Sequence, residues 1–256
     1  MTAPPAAAPP LADDIHLWCC RAPLIQDSAL LATYQAMLNP AEQDRHQRFY
    51  FAKDRHQYLV TRALIRCVLS LYAPAVAPAE WTFSLNAHGK PSIAGPAASL
   101  VRFNLSHSDG MIVLAVTARY DVGVDVESAV RVGRHLEAAQ VSLAPAELAL
   151  LAATPDADKP ETFCQLWILK EAYIKACGMG MSMPLQQFGF DLRPGGGLSF
   201  SCRDGQALDW RFWLYQVDAE HRVALALRAA QTQWRVQVRD IVPGREGRAA
   251  AWHRLR

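Results

Sequence analysis

The sequence predicts an α+β fold of two similar α/β halves, each a small, mostly antiparallel sheet packed with one long helix. Three observations predict it. First, two stretches repeat apolar residues at helical spacing: Leu59, Leu64, Ile65, Val68, Leu69 and Tyr72 in one, and Phe163, Leu166, Trp167, Leu169, Tyr173, Ile174 and Cys177 in the other. Second, short β-rich runs bounded by turn residues surround both stretches. Third, the order runs strand, helix, strands, then a long helix and strands again. The 256 residues, 51% hydrophobic, suffice for one large domain or two small ones.

In chain order, residues 1–14 (MTAPPAAAPPLADD) have no basic segment ahead of an apolar core, so they read as a disordered lead rather than a signal peptide. An N-terminal half is expected over 15–118. IHLWCC at 15–20 is its first strand, and 28–38 a helix with Leu30, Leu31, Tyr34 and Leu38 on one stripe and Ser28 as cap. Asn39-Pro40 ends that helix and opens the next segment, 41–72, which Arg45, Arg48, Arg55, Arg62 and Arg66 stud and Pro74 and Pro78 close. Residues 81–94 alternate around the turn His88-Gly89-Lys90-Pro91. Residues 101–128 read as a meander of three strands, broken at Ser108-Asp109-Gly110 and around Tyr120-Asp121.

The halves join near Ala118–Asp121, and the second is expected over 119–230. Pro145 marks a helix start, and Gly178 fits the C-cap of the helix over 161–178. FGFDL, LSFSC, WRFWLYQV and HRVALALRA read as strands of the second sheet. Residues 231–256 form a C-terminal extension, a further strand and a basic tail to which no function attaches.

The net charge of +2 implies no general nucleic-acid or membrane field, so any polyanion must be recognised locally. No apolar run is long enough to span a bilayer. Six cysteines form no CxxC pair or zinc pattern; Cys67, Cys164 and Cys177 fall in apolar helical patterns as buried thiols, and a reducing, cytoplasmic compartment is expected. The two-half layout predicts a monomer.

The stretch VGVDVESA, 122–129, poses the chemical question. Alternate strand residues share a face, so Asp125 and Glu127 project side by side from a run otherwise anchored by Val122, Val124 and Val126. Two buried like charges repel. Alone, the pair also reads as a water-facing strand edge. Glu171 changes that reading. On its helix Glu171 and Lys175 share a face with Trp167 at four-residue steps, with Lys170 off that line, which puts the pair at the border of the apolar face rather than on an ordinary solvated surface. A third carboxylate facing two strand carboxylates makes an oxygen-rich site suited to Mg²⁺, which neutralises neighbouring acids and commonly binds a substrate phosphate as well.

In FNLSHSDG, Ser106 and His107 point opposite ways on an extended chain, so they are a poor nucleophile–base pair but apt phosphate or sugar contacts. Lys90 in its turn and Arg62 on the first long helix add positive charge. Metal-dependent phosphohydrolysis or nuclease action fits three acids and basic residues equally well on chemistry alone. A non-catalytic scaffold would be expected to lack one of the acids, and all three are present.

FNLSHS, GVDVE and WILKEAYIKACGMGMSMP, in that order and spacing, together resemble the 4′-phosphopantetheinyl transferases of the surfactin-synthetase-activating class. RFYFAKDRHQYLVTRALIR and HGKP fit as well, and the similarity runs from about Ile15 to Ala230. The resemblance implies pseudo-two-fold symmetry between the halves, with coenzyme A and Mg²⁺ (or Mn²⁺) in the cleft between them. It implies transfer of 4′-phosphopantetheine to a serine of an apo acyl or peptidyl carrier protein, with release of adenosine 3′,5′-bisphosphate, and neither nucleic acid nor membrane as partner. Asp125, Glu127 and Glu171 match the metal-binding acids, and Lys175 the lysine near the pyrophosphate. Ser106 and His107 match contacts to the coenzyme A phosphates, the His to the 3′-phosphate. Lys90 and Arg62 match residues near the nucleotide, and Arg45 a frequent basic position. Residues 130–151 match the carrier-facing part, and Val126 stands where Ile is commoner. Glu171 is the expected base for the carrier serine, with Glu127, directly or through a water, as the alternative.

Overall fold

The computed structural model describes residues 11, 14–193, 197–202, 209–229 and 233–256. Most of the expected disordered lead lies outside the described residues; of its members, Leu11 is buried in the core and Asp14 already belongs to the first strand. The first half contains β1 (Asp14–Arg21), α1 (Ser28–Ala36), α2 (Pro40–Arg48), α3 (Ala52–Tyr72), β2 (Phe83–Leu85), β3 (Pro91–Ile93), β4 (Arg102–Ser108) and β5 (Met111–Thr117). The second contains β6 (Val122–Ser128), α4 (Ala129–Gly133), α5 (Ala139–Ser142), α6 (Pro145–Ala153), α7 (Lys159–Cys177), β7 (Phe188–Arg193), β8 (Gly197–Cys202), β9 (Trp210–Gln216) and β10 (His221–Arg228). The strands β11 (Arg235–Asp240), β12 (Arg248–Ala249) and β13 (His253–Arg254) complete the chain.

Strand alternation sorts side chains into layers. From β1 and β5, Trp18, Cys20, Ile112, Leu114 and Val116 pack against α1 and α3, while Ile15, Leu17, Met111, Val113 and Ala115 face the second sheet. From the second sheet, Val122, Val124, Val126, Val223 and Leu225 meet them, and Leu214, Ala224 and Ala226 pack under α7. The layers are therefore helix, sheet, sheet, helix, with apolar side chains filling all three interfaces. The sheets run β12-β11-β1-β5-β4 and β13-β9-β10-β6. In each, the strand before the long helix pairs antiparallel with the last strand of its half, which pairs antiparallel with the one before it.

Several expectations need correction. The meander is broken: β6 does not continue the sheet of β4 and β5 but crosses at Tyr120-Asp121 to pair with β10, from Val122 opposite Leu227 to Ser128 opposite His221. There its valines fill the space between the sheets. The runs FGFDL and LSFSC pair with each other in a separate hairpin, because Phe188 and Phe200 pack around Tyr173 on α7 instead of extending the sheet. The cap of α1 is Asp27, not Ser28: its Oδ1 accepts from the amides of Ala29 and Leu30 at 3.0 and 3.2 Å. Cys67 and Cys164 are buried free thiols, whereas Cys177 is half-exposed.

Two seams join the sheets. On one, β4 lies beside β6, and Asn104 Oδ1 accepts the Val124 amide at 2.9 Å. On the other, the C-terminal extension bridges both sheets: β11 runs parallel to β1, and β13 pairs with β9. The expected tail is thus a strap across the fold.

Candidate active site

The seam between β4 and β6 carries the polar side chains. Val122, Val124 and Val126 turn inward, so Asp125 and Glu127 turn toward α7. Gly123 lets the helix come close: a Cβ there would lie 2.0 Å from the Ala172 carbonyl oxygen and 2.4 Å from the Ala176 amide nitrogen. Glu171 and Lys175, the helical neighbours of those two alanines, are brought over the acid strand.

Lys175 Nζ donates to Asp125 Oδ1 at 2.6 Å and to Ser106 Oγ at 2.8 Å, and Ser106 donates to the same Asp125 oxygen at 2.8 Å. Asp125 is 3% exposed, and its Oδ2 is buried without a hydrogen-bond partner. Burial pushes the Asp125 carboxyl above the usual carboxylate range, against the pull of Lys175 and Ser106. Glu171 is pushed the same way, by burial first and then by the charge of Asp125, with Glu127 adding to it. It makes no ion pair among the described residues; its helical neighbour Lys175 has turned to Asp125 instead. The three acids thus share one electrostatic neighbourhood.

His107 faces α3, opposite Ser106, and its Nδ1 accepts from the Gln57 side-chain amide at 2.8 Å. That contact leaves the ring proton on Nε2. Burial and then Lys175 hold the imidazole below its ordinary pKa, so the neutral ring dominates at neutral pH. Lys90 reaches from the β2–β3 turn to the end of α7, donating to the carbonyls of Ala176 at 2.9 Å and Val122 at 3.3 Å. Gly178, at φ +70, ends α7 in the left-handed region and accepts from Asn86 at 2.7 Å. Lys90, Arg102, Asp121 and Gly178 line a cleft of about 270 Å³ between the halves.

Arg62 and Arg45 stand apart from this cluster. Arg62 pairs with Glu42 and lies 4.9 Å over the Phe83 ring, and Arg45 lies 5.6 Å over Tyr58. Glu42 also accepts from the fully buried Arg66 at 2.6 Å, which ties α2 to α3.

Sequence reasoning missed three participants. Ser108 donates to Glu127 Oε2 at 2.6 Å, Arg131 pairs with the same oxygen, and Gln57 holds His107. Ser108 had a signal, since it shares a strand face with Ser106; Gln57 and Arg131 had none in periodicity.

The donor set fits a hard divalent cation: it is all carboxylate oxygen, and Asp125 Oδ2 is buried and unpaired. The carboxylates are not gathered into a coordinating cluster, and no group of three or more His, Cys, Asp or Glu side chains among the described residues forms one. Lys175 and Arg131 hold Asp125 and Glu127 instead.

Comparison with known proteins matches the chain to one family. The model of the 4′-phosphopantetheinyl transferase superfamily matches residues 121–226, and that of the 4′-phosphopantetheinyl transferase N-terminal region matches 26–119. The 4′-phosphopantetheinyl transferase HetI of Nostoc is 36% identical over 174 residues, 67% of this chain and 72% of that protein. A 4′-phosphopantetheinyl transferase of Bacillus subtilis is 32% identical over 190 residues, 74% of this chain and 82% of that protein. The 4′-phosphopantetheinyl transferase Sfp of Bacillus subtilis is 28% identical over 192 residues, 75% of this chain and 83% of that protein. The two models together cover most of both halves, the acid strand β6 included, and the chain belongs to the 4′-phosphopantetheinyl transferase family, as an enzyme of the Sfp type.

Proposed function

We propose that this enzyme moves 4′-phosphopantetheine from coenzyme A to a serine hydroxyl of an apo carrier protein at the cluster around Asp125, in the cleft between halves related by a pseudo-two-fold axis. Transfer to a carrier is the activity of its family, and no feature of the site favours hydrolysis over it. Asp125, Glu127 and Glu171 would hold Mg²⁺ or Mn²⁺, and the buried, unpaired Oδ2 of Asp125 is the observation that carries this reading. Such an ion supplies charge stabilisation to a pyrophosphate bound against it.

The chain's own groups supply the rest. The carrier serine is a weak nucleophile until its proton is removed. Glu171 takes that proton: it stands in the electrostatic neighbourhood of Asp125, and no basic side chain among the described residues forms an ion pair with it. The serine oxygen bonds to the β-phosphorus, the pyrophosphate P–O bond breaks, and adenosine 3′,5′-bisphosphate leaves. Lys175 offers its ammonium to the charge that develops on the pyrophosphate. Ser106, on turning its hydroxyl away from Asp125, and the Nε2–H of His107 donate to phosphate oxygens, the His to the 3′-phosphate. Lys90, Arg62 and Arg45 make the nucleotide side positive, Arg62 by exchanging Glu42 for the ligand. Residues 130–151 would meet the carrier, and the enzyme would act as a cytoplasmic monomer.

Incubation with apo carrier protein, coenzyme A and Mg²⁺ tests this. The expected result is a mass gain of one phosphopantetheine on the carrier, and no gain on any of several acyl and peptidyl carriers would overturn it.

A further inference from the structure

Arg131, in the first turn of α4, reaches back over the acid strand. Its Nη2 donates to Glu127 Oε2 and, at 2.8 Å, to Ser108 Oγ, while its Nε lies 3.6 Å from Asp109 Oδ2 in the β4–β5 turn. Ser108, itself 2% exposed, donates to the same Glu127 oxygen. Asp125 shows the same pattern: one oxygen takes one serine hydroxyl, from Ser106, and one cation, Lys175. Each strand carboxylate is thus held by a serine of β4 and neutralised by a basic side chain.

The two cations differ in their freedom. Lys175 stands over a buried carboxylate, with 28% of its side chain exposed. Arg131 is 50% exposed, and Asp109, its other acidic partner, is 46% exposed. Swinging Arg131 into water breaks one hydrogen bond to the buried Ser108 and two contacts to carboxylates that already reach solvent. An ion held by Glu127 would compete with the guanidinium for that carboxylate, and it would bring the positive charge that the guanidinium supplies.

We propose that Arg131 is a displaceable counterion of Glu127, which balances the acid site in the ion-free enzyme and sets its affinity for the divalent cation by competing for the same carboxylate oxygen. This rests on the reading of Asp125, Glu127 and Glu171 as metal acids. Ser108 keeps Glu127 aligned in both states and is a positioning residue.

Mn²⁺ binding, followed by the paramagnetic resonance signal of the free ion with no coenzyme A present, tests the proposal in wild type, Arg131→Gln, Arg131→Lys, Arg134→Gln and Asp125→Asn. Arg131→Gln should bind Mn²⁺ about three to five times more tightly than wild type, the range expected for losing a partly exposed ion pair. The gain should shrink as salt rises. Arg131→Lys, which keeps the charge but shortens the reach, should gain less and remains informative if the Gln variant does not fold. Arg134, which makes no ion pair among the described residues, should leave affinity at the wild-type value when changed to Gln. Unchanged or weaker binding in folded Arg131 variants, or an equal gain in Arg134→Gln, overturns the competition while loss of binding in Asp125→Asn keeps the metal site. Equal binding by wild type and Asp125→Asn overturns the metal site, and the counterion role with it.

Discussion

Two of the lysines on helix α7, Lys170 and Lys175, lie on different faces and end in opposite circumstances. Lys170 is fully buried, and its three N–H groups are all used: Leu185 O at 2.8 Å, Phe188 O at 2.7 Å and Glu147 Oε2 at 2.8 Å. Glu147 is equally satisfied, accepting the Ala144 amide at 2.7 Å and the Phe190 amide at 2.9 Å. This closed network ties α6 and the β7 strand to α7. Lys175 makes an ion pair of similar length with Asp125, yet there one carboxylate oxygen is left buried and unpaired, and Glu171 shares that neighbourhood without an ion pair among the described residues. Burial of charge alone does not distinguish structure from function on this helix. The unsatisfied remainder does.

The comparison can be broken from the structural side first. Lys170→Met leaves Glu147 buried without its counterion and should cost about 3–5 kcal/mol of unfolding free energy, measured by urea denaturation. Transfer by the fraction still folded should persist. Loss of transfer at unchanged stability would move Lys170 from scaffold to site. Ser106→Ala removes a hydroxyl donated to a buried charged oxygen and should cost about 1.5–3 kcal/mol, read by the same denaturation. It should also weaken coenzyme A, raising its KM.

The smallest stability change has the opposite sign. Burial raises the Glu171 carboxyl, so the folded chain binds this proton more readily than the unfolded chain. The stability it contributes is complete below the ordinary carboxylate pKa and is lost as pH rises through the raised one. Glu171→Gln, which cannot ionise, should therefore melt at a higher temperature than wild type at neutral pH in the absence of divalent cation, by calorimetry, with the gap closing toward acid. A lower melting temperature at neutral pH would show Glu171 to be a stabilising charge.

How much of this was legible in the sequence follows from the range of each signal. Asp125 with Glu127, and Glu171 with Lys175, obey the local periods of strand and helix, and the resemblance of their motifs to a known family named their chemistry. The partner of Lys175 was not legible, because four-residue spacing pointed to Glu171, whereas the close approach at Gly123 delivers the ammonium to Asp125. Arg131 lies four residues after Glu127, but that interval crosses from strand to helix, where no fixed period applies. Lys170 and Glu147 meet only because α6 folds back on α7. The crossing of β6 to β10 escaped for the same reason: strand pairing is non-local, and adjacent apolar runs read as one meander. In the extension, β11 announced itself by alternation, whereas the two-residue strands β12 and β13 are too short to carry a period.

The central claim is that the acids around Asp125, with their unsatisfied oxygen, perform the transfer. Intact-mass measurement of an apo carrier protein after incubation with coenzyme A, Mg²⁺ and wild type, Asp125→Ala or Glu171→Ala tests it most directly. The wild type should add one phosphopantetheine, and both variants, folded by circular dichroism, should add none. Wild-type-like modification by either variant would contradict the account.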